Sequence, residues 1–496
     1  MKKCVIIGSG LGGLCCGVIL AKNGYEVTVL EQHWHAGGCL QCFRRGDFLF
    51  ETGMHYIGSA DPGQTLHTIL RYLDVIPGIT LERLNPMGYD VVALQGRHYQ
   101  FANGKQNFVN TLAEHFPESR SELERYYDLA KHVASSWAIH SLSQKGDLKT
   151  YVEYQTKSVG EVIDSLISNP LLRQVLAGTQ FLYAGEKYHT PFSTHALITD
   201  SYDQSAFRIV GGSSLMADRL TESIRSRGGK VLTGRKAVRI ECDGTKATAV
   251  ITADGERFPA DLIISDIHPA NTMQLIDSRL IKPAYRQRMA HIRNTTSVFT
   301  VYLKFRKNSV RYMDHNLYYY RGDSVWDCQH YDDASWPKCL LYMHAPTPQT
   351  LNFHGYAETG EIMTYMSFDE VRQWADTHVG CRGEDYEVFK RKKAEAVIDA
   401  LEQEVPGLRD NIEHYYTSTP LTYVDYTGTP DGAMYGMLKD VKDLRSMSIS
   451  SKTRIPNLLL TGQNITLHGM MGVMAGSLLT CSEVLTVDRI LGELKN

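Results

Sequence analysis

The feature that most restricts this chain lies in its first 32 residues. The stretch CVIIGSGLGGLCCGVILAKNGYEVTVLEQ reads as strand, tight turn, helix, turn, strand and acid. Gly8, Gly10 and Gly13 give G-x-G-x-x-G: the first permits the sharp turn, the second lets backbone approach a diphosphate, the third lets helix pack on strand. The helix start then aims free N–H groups and a positive dipole end at phosphate. Glu31 closes the second strand, where a carboxylate can take ribose hydroxyls. A parallel βαβ unit and a bound dinucleotide follow from this order of elements, although spacing alone does not say which dinucleotide.

The whole chain has 496 residues, enough for two or three domains. A net charge of -3 supplies no basic excess to neutralise phosphates, so a nucleic-acid partner is excluded. The ten cysteines show no disulfide framework. The first strand starts almost at Met1, which leaves no room for a secretory leader, and no apolar run reaches membrane-spanning length. The expectation is a cytoplasmic protein whose membrane contact, if it has one, is peripheral. Tyrosines number 28 against 15 phenylalanines, which suits a pocket for a long apolar ligand or simply the filling of strands.

Three segments carry a resemblance. After Glu31, the run EQHWHAGGC places Gly37 and Gly38 just past the acid. That continuation resembles the flavoprotein signature in which a second glycine pair skirts the FAD diphosphate. Near the other end, IPNLLLTGQNITLHGMMGVMAGSLLTCSEVL starts with a short strand, Leu458 to Leu460, and turns at Gly462 into a loop and a long apolar helix. It is similar to the C-terminal FAD motif of the glutathione-reductase-like superfamily, with Asn464 where an Asp is usual. In the middle, RIVGGSSLMADRLTESIRSRGGKVLTGRKAVRIE reads as a Gly-Gly turn, a helix capped by Ser213 or Ser214, and a strand. Together the three resemble the phytoene desaturase, carotenoid isomerase and retinol saturase flavoproteins, and GGCLQCFRRGDFLFETGMHYIG is most similar to the retinol saturase branch.

The resemblance implies a fold class: α/β, a Rossmann-like FAD-binding domain of the glutathione-reductase type with an inserted α+β substrate domain, mixed sheet plus helices. The expected division is 1–105 FAD-binding, 106–205 helical substrate part, 206–275 FAD-binding, 276–448 substrate sheet and helices over one face, and 449–496 FAD-binding. It implies FAD contacts at Gly8, Gly10, Leu11, Gly12, Gly13, Glu31, Gln32, Gly37, Gly38, Gly462, Gln463, Asn464, Gly469, Met470 and Met471, with Val238 beside the adenine. It implies action on carbon–carbon double bonds of a hydrophobic polyene or isoprenoid, either retinol saturase-like reduction or desaturation. No second G-x-G-x-x-G is present, so the electron donor, NAD(P)H, another protein or a quinone, has no domain of its own.

FETGMHYIGS then places His55 and Tyr56 where substrate would meet flavin. Saturation needs a proton as well as a hydride, and a phenol or imidazolium supplies one. Tyr56 is the expected proton donor and His55 its orienter; the plainer reading is that both pack on the flavin edge. Tyr426, Tyr435 and His468 are secondary candidates for the pocket wall. Cys39 and Cys42 form C-x-x-C beside the expected diphosphate, but their spacing departs from flavin disulfide reductases, and with His35 they give only three metal ligands. Three other functions fit the same motifs: an amine oxidase, a redox-neutral isomerase, and a flavin-free prenyl-binding protein of the GDP-dissociation-inhibitor type.

Overall fold

The first strand, Lys3–Ile7, sits at the centre of a five-stranded parallel sheet. Glu26–Leu30 and then Lys230–Leu232 lie on one side, Leu262–Ser265 and Leu458–Leu460 on the other. The computed structural model describes residues 1–142, 146–347, 355–443 and 447–495. Alternation along Lys3–Ile7 builds two cores. Cys4 and Ile6 face the helices Leu11–Lys22, Ser214–Ser226 and Gly469–Leu485. Val5 and Ile7 face a three-stranded antiparallel layer, Ala237–Cys242, Ala247–Thr252 and Arg257–Pro259. Continuous apolar strands buried on both faces are what a parallel sheet demands.

The second domain is a seven-stranded mixed sheet. Its strands run in the order Ile412–Ser418, Ser297–Phe305, Thr359–Met366, Cys339–His344, Asn316–Tyr320, Asp90–Leu94 and Arg97–Phe101. Two expectations change here. Residues 90–101 belong to this sheet and not to the first cofactor segment, because Asp90–Leu94 pairs in parallel with Asn316–Tyr320. Helices cover both faces, not one. Val91, Val301 and Ile362 pack toward the helix Glu384–Glu402, while Val92, Tyr318 and Met363 pack toward the helices of the 106–205 insertion. A period of two along each strand splits neighbouring residues between the two cores.

A short three-stranded sheet, Ile57–Gly58, Ala206–Ile209 and Leu81–Arg83, ties the domains together. Ile57 pairs with Phe207, which fixes the segment carrying His55 and Tyr56. Among the described residues, no helix is long and apolar enough to cross a membrane.

Candidate active site

A cavity of about 600 Å3 opens at the C-terminal edge of the parallel sheet. It is lined by Gly8, Gly10, Leu11 and Gly12, by Glu31 and Gln32, by Gly37 and Gly38, and by Gly462, Gln463, Asn464, Gly469 and Met470. Segments more than 400 residues apart thus meet at one space, as ligand crevices in open α/β sheets do. The two terminal motifs come into backbone contact here. A Cβ placed on Gly12 would stand 2.9 Å from both the Cα and the backbone nitrogen of Gly462. Only glycine admits that contact.

Three expected contacts fall elsewhere. Gly13 lies in the first turn of its helix, buried beneath the lining residues. Val238 is 43% exposed and does not line the cavity; Ala237 does. The pairing of this strand is irregular between Ala237 and Arg239, and Val238 falls in that irregularity, turned to solvent. Met471 packs in the helical core and lines a smaller space beside the cavity, not the cavity itself.

Glu31 sits where a ribose-binding acid is expected. Its carboxylate accepts from the Ser9 hydroxyl at 2.6 Å, the Ser9 N–H at 3.0 Å and the His33 N–H at 2.9 Å. Asn464 accepts the Met437 N–H at 2.8 Å through Oδ1, which leaves its amide nitrogen for a ligand. Sequence reasoning missed several lining residues, notably Arg235, Lys236, Asp266, His268 and Asn271. The signal for Asp266 was legible: it directly follows the buried strand LIIS, at the sheet edge where ligands bind.

The helix Ser214–Ser226 is not capped by a serine side chain. Glu51 reaches across instead, accepting the Ser213 N–H at 2.8 Å and the Ser213 hydroxyl. Cys42 donates its thiol to the same carboxylate at 3.3 Å. Burial pushes Glu51 up to about 7. Burial also raises the C-x-x-C thiols, Cys39 to about 11 and Cys42 to about 12, with Glu51 adding to the second. Both are free. Thiols held so far above neutrality are poor nucleophiles. Brief alkylation at about pH 8 is expected to modify exposed Cys381 first and to leave Cys39 and Cys42 intact, as read by peptide mass spectrometry.

His55 and Tyr56 do not touch one another through their polar atoms. His55 Nδ1 lies 2.9 Å from Glu361 Oε2, while its Nε2 is buried with no hydrogen-bond partner among the described residues. Burial works against the charged imidazole, but the Glu361 carboxylate more than offsets it and His55 ends raised. Tyr56 points into the sheet. Its hydroxyl donates to Asp90 Oδ2 at 3.0 Å and lies 2.6 Å from the Tyr318 hydroxyl. Asn316 donates to the other Asp90 oxygen at 2.7 Å, and Arg208 donates to Asn316 at 2.8 Å. Burial pushes Asp90 up to about 7, so it holds a proton near neutrality. The expected His55–Tyr56 pair is therefore two networks: Asp90 and Tyr318 orient Tyr56, and neither His55 nor Tyr56 lines the 600 Å3 cavity.

Two of the secondary candidates, Tyr426 and Tyr435, do line it. Tyr435 stacks on His468 at 4.3 Å between ring centres, and His468 Nε2 is 3.1 Å from the Leu182 carbonyl. Burial drops His468 to about 4, so it is a neutral donor. A second space of about 40 Å3 shares Gly469 and Met470 with the first, and its wall is largely apolar, with Leu66, Trp137, Leu197 and Leu467. Tyr202 lines it too, and its ring packs on Tyr56 at 4.3 Å.

Residues 11–485 match the family model described as flavin containing amine oxidoreductase. All-trans-retinol 13,14-reductase of Rattus norvegicus is 30% identical over 97% of this chain and 85% of its own length. The Homo sapiens protein of that description is 29% identical over 99% and 87%. Among solved structures, an oxidoreductase from Methanosarcina mazei superposes with a TM-score of 0.64 at 16% identity, covering 96% of this chain and 99% of that one. The cavity fits the FAD that such a family implies. Its glycine loops and Glu31 supply what a diphosphate and a ribose need, and a Cβ at Gly12 would push apart the two loops that line it.

Proposed function

The chain belongs to the flavin containing amine oxidoreductase family, and from that premise we propose that it saturates a carbon–carbon double bond of a hydrophobic polyene in an FAD-dependent reaction. The kinship with retinol 13,14-reductases supports the substrate class. The observation that carries the direction is the buried Asp90–Tyr56–Tyr318 set, a carboxyl raised by burial and hydrogen-bonded to phenols on the sheet face that packs on the 106–205 helices.

The cofactor fold is of the glutathione-reductase type in this reading. FAD, once bound, supplies the hydride exchange. The residues of the chain do the rest. The glycine runs and Glu31 hold the dinucleotide. The start of the helix Gly469–Leu485 faces the cavity and would favour negative charge there. Leu66, Trp137, Leu197 and Leu467 exclude water along an apolar approach to that helix start. Tyr56, with Asp90 behind it, moves a proton toward the carbon that takes no hydride. His55 Nε2, buried and unpaired, is left to meet a bound ligand. Electrons come from outside the fold, and NAD(P)H is the donor we propose to try first. The experiment is anaerobic incubation of the reduced protein with a panel of retinoids and carotenoids. Amine-dependent oxygen consumption without polyene conversion would instead favour an amine oxidase.

A further inference from the structure

One carboxyl group stands where the dinucleotide's own charge must go. Asp266 directly follows the strand Leu262–Ser265, and its N–H donates to the Ile7 carbonyl at 2.8 Å, which locks it beneath the glycine loop. Its side chain is wedged among the runs that make the cradle. A Cβ on Gly10 would stand 2.6 Å from Asp266 Oδ2, and one on Gly462 would stand 2.6 Å from Oδ1. A Cβ on Gly13 would be 3.1 Å from Oδ2. Asp266 is open to the cavity but lies deep within it, so a bound dinucleotide would close it off from water.

Burial and Glu31 work against an anion here, and the Gly13 N–H only partly offsets them. The titratable groups facing it are Glu31 from the second strand, Cys15 from the first helix and Cys39 from the glycine-pair loop. Arg235, Lys236 and His268 line the same cavity, and Arg235 is held by Asp254 at 3.0 Å. An ionised carboxylate beside a diphosphate would place like charges together in a space losing its water, and such a pair keeps one group protonated.

We propose that Asp266 holds the cofactor as a neutral carboxylic acid, its proton donated to the FAD diphosphate, so that cofactor uptake above neutral pH captures one proton from solvent. The inference rests on the reading that the cradle binds FAD. The proton comes from buffer, stays on a carboxyl oxygen and hydrogen-bonds to phosphate; no electron moves. Even without cofactor, burial pushes Asp266 up to about 7, eased by the Gly13 N–H and reinforced by Glu31. Linkage then fixes the sign. Below about 7 the acid is already neutral and affinity is flat. Above it each pH unit weakens FAD binding about tenfold, until the pH reaches the higher pKa of the complex.

The test uses deflavinated full-length protein and FAD. Calorimetry at about pH 8, in two buffers of different ionisation heat, counts protons taken up per FAD, and flavin fluorescence gives Kd from about pH 6 to 9. The wild type is expected to take up close to one proton and to show the tenfold slope. Asp266→Asn is expected to take up none, to show a flat profile and to bind more tightly than wild type at the alkaline end. FAD binding by the wild type without proton uptake overturns the proposal, and that count stands even if Asp266→Asn does not fold. Failure of FAD to bind at any pH overturns the cofactor reading itself.

Discussion

Gly12→Val is expected to purify colourless. The two cofactor motifs touch at this point, and a Cβ on Gly12 would lie 2.9 Å from backbone atoms of Gly462. A flexible neighbour could swing away from such an intrusion, but a backbone Cα and nitrogen cannot. The loop that opens the helix Leu11–Lys22 would have to separate from the turn that precedes the helix Gly469–Leu485. Overpacking of this kind costs about 1–3 kcal/mol. Here the upper end applies, because the atoms met are backbone and the two cofactor loops must part to relieve it; about 10²-fold of FAD affinity is then lost on the scale of tenfold per about 1.4 kcal/mol. The check is flavin absorbance per chain after purification, with circular dichroism to establish that the helices persist. Full flavin content in the variant would mean that the motifs do not share one ligand.

The second large effect is expected at Tyr56. Tyr56→Phe keeps the ring that packs on Tyr202 and removes the hydroxyl that joins Asp90 to Tyr318. With flavin content unchanged, polyene turnover should fall about 10²-fold, the usual contribution of a positioned general acid. The same chain of contacts sets a pH dependence. Burial pushes Asp90 up to about 7, and in the proposed saturation it is the protonated form that backs Tyr56. Turnover measured at saturating FAD should therefore fall as pH rises through about 7. The groups facing Asp90 are Tyr56, Asn316 and Arg208, with Tyr318, Tyr202 and Tyr89 around them; replacing Asp90 by Asn should remove that limb and leave a low, flat rate. Undiminished turnover in a flavin-replete Tyr56→Phe protein would remove Tyr56 from the chemistry.

The cofactor half was legible from sequence because its signals are local. Gly8 to Gly13 dictate a turn and a helix start whatever surrounds them, and Leu458 to Leu460 announce a buried strand. Val238 failed for a physical reason: strand position can be read from pattern, but which face a given residue presents depends on a register that only the pairing partner fixes. Distance along the chain hid the rest. Asp90 pairs with Asn316, more than 200 residues away, so neither the membership of residues 90–101 in the seven-stranded sheet nor the Asp90–Tyr56–Tyr318 site could be derived from the hairpin GYDVVALQGRHYQF alone. His55 and Tyr56 are adjacent in sequence and were read as one unit. They lie in an irregular segment just before the strand Ile57–Gly58, where no period ties neighbours to one face, and one reached Glu361 and the other Asp90.

The account turns on whether reduced flavin in this protein adds hydrogen across a polyene double bond. A single anaerobic turnover decides it: protein reduced to its hydroquinone, mixed with all-trans-retinol and with a carotenoid, and the products weighed by mass spectrometry. A product heavier by two hydrogen atoms, formed in proportion to the flavin reoxidised, is the predicted result. A product of unchanged mass with altered double-bond geometry, or flavin that stays reduced against every polyene, would contradict it.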